Sequence, residues 1–124
     1  MMNDARPPIL VAEDEAMLRV LAVEMLEDAG FQVFEAGDGV EALALLKANP
    51  QITLLVSDVK MPRMDGYALV AAGLEFKPEL KVLLMTGYAQ DPPPQFLKAR
   101  DIQILHKPFN LEKLCTLAAE MTAP

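Results

Sequence analysis

Four short apolar runs constrain this chain most: Ile9 to Ala12, Ile52 to Val56, Val82 to Met85, and Ile102 to Leu105. They are largely continuous rather than alternating, the pattern of strands covered on both faces of a parallel sheet. A weaker fifth run, Gln32 to Glu35, lies between two stretches of helical period. In the first stretch Leu18, Leu21, Ala22, Met25 and Ala29 fall on one stripe, with Gly30 as a stop. In the second, Asp38 and Glu41 form a capping-box pattern ahead of Ala42 to Ala48. Asn110 is a good N-cap for a last helix lined by Leu111, Leu114, Cys115 and Ala118. Segments from Gly66 to Phe76 and before Arg100 supply two more helices. Strands and helices alternating in this way predict an α/β fold, (βα)5, with a doubly wound five-stranded parallel sheet. Pro92 to Pro94 fall where the fourth helix begins, so that helix is expected to be short or irregular.

With 124 residues there is room for one domain, 1–124, and for no second. A net charge of −7, with the basic residues scattered singly, argues against a nucleic-acid partner. The single cysteine excludes a disulfide framework and a cysteine-rich zinc site. No apolar run approaches the roughly 20 residues that span a bilayer, and the first residues lack the apolar stretch of a signal peptide. A soluble, cytoplasmic domain is the expectation.

Ligands of open α/β sheets bind outside the carboxyl ends of the strands. Glu13 and Asp14 follow the first run, Asp58 the third, Thr86 and Gly87 the fourth, and Lys107-Pro108 the fifth. Three carboxylates meeting at one end of a small sheet repel one another unless a cation sits among them. Mg²⁺, a hard ion that takes a few carboxylates plus water, suits such a site. With the metal and Lys107 present the pocket can accept a phosphoryl group, Thr86 donating a hydrogen bond and Asp58 acting as nucleophile to form an acyl phosphate. Each residue alone has a plainer reading. Asp14 could cap the first helix, and Asp58 could sit in an Asx-turn. Asp65-Gly66 reads as a turn with glycine at positive φ. Thr86 would be a strand-end hydroxyl, Lys107 a surface lysine, His106 a bystander, and Cys115 a core thiol.

Together, Ala12-Glu13-Asp14-Glu15, the stretch Ser57-Asp58-Val59-Lys60-Met61-Pro62-Arg63-Met64-Asp65-Gly66, Met85-Thr86-Gly87-Tyr88-Ala89 and Lys107-Pro108-Phe109 resemble the receiver domain of two-component response regulators. The likeness covers about residues 8–121. It implies a flavodoxin-like (CheY-like) three-layer sandwich in which Asp58 takes a phosphoryl group from a phosphohistidine of a sensor histidine kinase or histidine phosphotransfer protein. Asp14, Asp58 and the backbone carbonyl of Lys60 would bind Mg²⁺, with Glu13 reaching it through water. Thr86 would swing toward the phosphate, Lys107 would pair with it, and Gly87 would leave space for the donor. The resemblance implies a phosphorelay switch with a downstream protein target, no direct nucleic-acid or membrane contact, and no outside substrate. A homodimer could use the face of the fourth helix, fifth strand and fifth helix.

The chain departs from the family at Glu13, where Asp is commoner, at Pro92 to Pro94, and at Ile104, where the family usually has Tyr or Phe. The switch surface is therefore expected to be unusual. Lys60 and Tyr88, both bulky, predict slow self-dephosphorylation. With Pro124 just past the last helix, no output domain is expected to follow, and the chain reads as a stand-alone regulator or a domain of a longer one. Three rivals differ from this reading. A haloacid-dehalogenase-like phosphatase places its nucleophile after the first strand. A nucleotide-binding module needs a glycine-rich loop there. A degenerate receiver would bind partners without phosphate.

Overall fold

The computed structural model describes residues 6–87, 102–107 and 110–123. Their elements run β1 (Arg6–Ala12), α1 (Ala16–Asp28), β2 (Phe31–Ala36), α2 (Gly39–Ala48), β3 (Leu54–Asp58), α3 (Gly66–Phe76), β4 (Lys81–Thr86), β5 (Ile102–His106) and α4 (Leu111–Thr122). Here α4 corresponds to the fifth helix that the sequence predicts. The expected fourth helix, with Pro92 to Pro94 and Tyr88, lies outside the described residues, as do Pro108 and Phe109.

The strands form one parallel sheet ordered β2-β1-β3-β4-β5. Alternate strand residues face opposite layers, as the pleat requires. Ile9, Val11, Leu54, Val56, Leu83 and Met85 pack with Ala22, Val23 and Leu26 of α1 and Leu114, Ala118 and Met121 of α4. Leu10, Ala12, Leu55, Val82 and Leu84 pack with Ala42 and Leu46 of α2 and Leu69, Val70 and Leu74 of α3. Both faces are therefore covered, which is why the runs are continuous. Each fully buried Leu or Ile contributes about 1.5–3 kcal/mol by leaving water.

Three sequence expectations shift. β3 runs Leu54–Asp58 rather than Ile52 to Val56, because pairing with β1 sets Leu54 opposite Ile9. Ile52 stays buried just before the strand. Second, α1 buries Ala22, Val23 and Leu26 and exposes Leu21, together with Met17 and Val20. Apolar residues run almost all round this helix, so its packing against the sheet and α4, not its pattern, selects the buried line. Third, the N-cap of α1 is Glu15, which makes no side-chain cap bond, so the plainer role for Asp14 is unfilled.

The other ends follow expectation. Gly30 has φ +102°, the left-handed stop that favours glycine. Asn110 accepts from the Lys113 amide at 2.6 Å. Asp38 accepts from the Glu41 amide at 2.8 Å, while Glu41 reaches back to the Gly37 amide at 2.7 Å. Ile104 is half-buried, packed on the layer of α2 and α3. Among the described residues no helix is long and apolar enough to cross a membrane.

Candidate functional site

The chain passes from β1 outward to β2, then returns to place β3 on the other side of β1. That reversal opens a crevice at the carboxyl ends of β1 and β3. Ala12 pairs with Ser57, so Glu13 and Asp58 emerge side by side. Asp58 closes β3 and Thr86 closes β4, both buried. The Lys107 amide donates to the Thr86 carbonyl at 2.7 Å, which sets the lysine at the same end of the sheet.

Glu13 turns inward and is 1% exposed, whereas Asp14 faces solvent. The Glu13 Oε2 accepts from the Glu15 amide at 3.0 Å. Lys107 Nζ donates to Asp58 Oδ2 at 3.1 Å and lies 3.4 Å from Glu13 Oε1. Glu13, Asp14 and Asp58 each offer a carboxylate oxygen, all within 4.8 Å of one another. Burial pushes the Glu13 carboxyl up to about 7; the Asp58 charge adds to the rise, and the Glu15 amide and Lys107 oppose it. Burial pulls the Lys107 ammonium down, but its hydrogen bond to Asp58 and the charges of Asp58 and Glu13 outweigh that, and its pKa is raised.

One ammonium against three carboxylates leaves two negative charges when all are ionised. An all-oxygen donor set with that charge, one member open to water, fits a hard divalent ion such as Mg²⁺. The same geometry leaves a carboxylate beside an ammonium in a crevice, as nucleophilic attack on a phosphoryl group requires.

Lys60 is exposed on the loop two residues past Asp58. Among the described residues, a Cβ on Gly87 would meet no atom within 4 Å. His106 is exposed and pairs in register with Thr86. Cys115 is half-buried, and burial pushes its thiol up. Gly66 corrects an expectation. It is not at positive φ; a Cβ there would stand 2.3 Å from the Asp58 carbonyl oxygen, and its amide donates to the Val59 carbonyl at 2.7 Å. Asp65 caps α3 through the Ala68 amide, and the positive φ of this loop (+68°) belongs to Arg63.

Two arginines enter that the sequence does not single out. Arg19 Nη1 donates to the Glu13 carbonyl at 2.8 Å, and its Nε to Glu35 Oε1 at 3.1 Å. Arg63 donates twice to Asp38 Oδ2, at 3.0 and 2.8 Å. Only the strand order makes these pairings visible.

The sequence profile of the family described as response regulator receiver domain matches residues 9–119. The chain is 38% identical over 107 residues to the response regulator receiver protein CpdR of Brucella abortus, covering 86% of this chain and 88% of CpdR. It is 37% identical over 115 residues to the sensor kinase CckA of the same organism, covering 91% of this chain but only 12% of that kinase. A CheY-like receiver domain from Methanospirillum hungatei superposes with a TM-score of 0.84 at 29% identity, covering 94% of this chain and 93% of that one.

Proposed function

The chain belongs to the response regulator receiver domain family, and on that premise we propose that Asp58 is its phosphoacceptor. A carboxylate oxygen of Asp58 attacks the phosphorus of a phosphohistidine on a sensor histidine kinase or histidine phosphotransfer protein. The P–N bond breaks, its electron pair returns to the imidazole, and an acyl phosphate forms on Asp58. The observation that carries this reading is the placement of Lys107 Nζ 3.1 Å from Asp58 Oδ2, with Glu13 and Asp14 close by.

Asp14, Asp58 and the Lys60 carbonyl would hold Mg²⁺, with Glu13 reaching it through water, and the metal would screen the phosphoryl oxygens. Lys107 pairs with the charge that develops on the transferred group, and the Thr86 hydroxyl donates to it. Gly87, with no described atom close to where a Cβ would stand, leaves room for the donor imidazole. The domain acts as a cytoplasmic signalling switch whose only chemistry is on its own Asp58, and a downstream protein reads its state.

Intact mass after incubation with Mg²⁺ and acetyl phosphate tests this. A single phosphoryl adduct is expected, absent from Asp58→Asn and absent without Mg²⁺. An adduct that survives Asp58→Asn would overturn the assignment. No adduct in the wild type, together with no beryllofluoride binding, would mark a receiver that works without phosphate.

A further inference from the structure

We infer that Arg19 is a positioning residue of the divalent-cation site: its guanidinium holds the Glu13 backbone and so fixes the turn from which Glu13 and Asp14 present their carboxylates. The inference rests on the proposed Mg²⁺ site and adds to it a residue that never touches the ion.

Arg19 lies in the first turn of α1, where its own amide donates to the Glu15 carbonyl at 2.9 Å. Its side chain folds back over the turn, 22% exposed. One arm, Nη1, meets the Glu13 carbonyl at 2.8 Å; the other, Nε, meets Glu35 of β2 at 3.1 Å. A Cβ on Gly37 would stand 3.4 Å from Nη1, so the guanidinium fits closely against the backbone that follows β2. The Glu13 amide is held from the same side, donating to the Ala36 carbonyl at 3.0 Å. Glu13 is thus clamped at both backbone groups to the β2 side of the crevice.

The clamp matters because, among the described residues, Arg19 is the one side chain that holds the Glu13 carbonyl. The N-cap of α1 makes no side-chain bond, and the Glu15 amide is held by the Glu13 carboxylate itself, which is one of the candidate metal-site groups. A planar fork bound at two points sets an orientation that a lysine cannot copy. Partners that orient metal ligands are commonly worth about 10- to 100-fold in affinity.

Charge and positioning predict opposite signs. A cation beside an anionic metal site repels Mg²⁺, so if Arg19 acted by charge alone its removal would tighten binding. If it acts by position, its removal weakens binding. Calorimetric titration of the full chain with MgCl₂ at fixed ionic strength reads the sign. Arg19→Met is expected to raise the Mg²⁺ Kd about tenfold, the low end for an orienting partner that grips backbone rather than the ligand itself. Arg19→Lys, which keeps the charge and loses the fork, should still bind about threefold more weakly. The Glu15 amide resonance should move in both variants. Urea midpoints identify a variant that does not fold, and Arg19→Lys then carries the test.

Unchanged or tighter Mg²⁺ binding by the folded variants would overturn the inference and leave the site reading intact. No Mg²⁺ binding by the wild type would overturn both.

Discussion

Glu13 and Asp14 leave β1 on a turn tied by charged hydrogen bonds, whereas the loop after Asp58 is held by close backbone contact at two glycines. In the first, Arg19 grips the Glu13 carbonyl and Lys107 faces its carboxylate. In the second, a Cβ on Gly39 would stand 2.2 Å from the Met64 carbonyl oxygen, and one on Gly66 would stand 2.3 Å from that of Asp58. Arg63 adds to this loop only an exposed pair with Asp38. A turn held by charge responds to pH, salt and metal. A loop held by shape responds far less, even though its Lys60 carbonyl is a proposed ligand of the ion, and it gives Asp58 a firmer wall beside a responsive one.

The largest effect expected is at the firmer wall. Gly66→Ala forces backbone apart at the end of β3 and should remove about 3 kcal/mol or more of unfolding free energy. Urea denaturation measures it, and a loss under about 1 kcal/mol would mean that the loop gives way readily. Gly39→Ala, against the Met64 carbonyl, should behave alike.

Next comes the responsive turn. Burial places the Glu13 pKa near 7 in the folded protein, above its ordinary value, so the fold prefers the protonated acid. Its contribution is therefore full below the ordinary glutamate range and is lost as pH rises through about 7. Metal-free protein should lose about 2–3 kcal/mol across that window. Glu13→Gln should flatten the profile, and excess Mg²⁺ should shrink the loss by favouring the charged form. A metal-free stability that does not fall between pH 5 and pH 8, relative to Glu13→Gln, would contradict the buried-acid account.

The smallest effect is at Arg63. Replacing it by glycine relieves a left-handed φ, worth about 1 kcal/mol, and gives up an exposed ion pair of little value. Arg63→Gly should therefore melt at or slightly above the wild-type temperature. A clear drop would show that the pair with Asp38 holds the loop, and would erase much of the contrast between the two walls.

What could be read from the sequence follows the same division. The sheet and the crevice were legible because Glu13, Asp58, Thr86 and Lys107 each close or follow an apolar run, and parallel strands bring such ends together. The phase of α1 was not legible, since Leu21 looks as apolar as the residues that are buried. Gly66 was misread because dipeptide chemistry suggests a turn angle, while its real constraint is the Asp58 carbonyl, eight residues earlier in the chain. Arg19 with Glu35 and Arg63 with Asp38 join residues 16 and 25 positions apart, and nothing local to either arginine announces its partner.

Lys107 follows β5, which among the described residues pairs with β4 alone, whereas Glu13, Asp14 and Asp58 hang from the two strands that share the crevice. Elements of low local contact density can open by themselves, without global unfolding. An opening of β5 would carry the Lys107 ammonium away from Asp58 and Glu13. Amide exchange along β5 would therefore count how often Asp58, the proposed phosphoacceptor, loses its balancing cation, and would make the rim of the sheet a clock for the chemistry proposed at its centre.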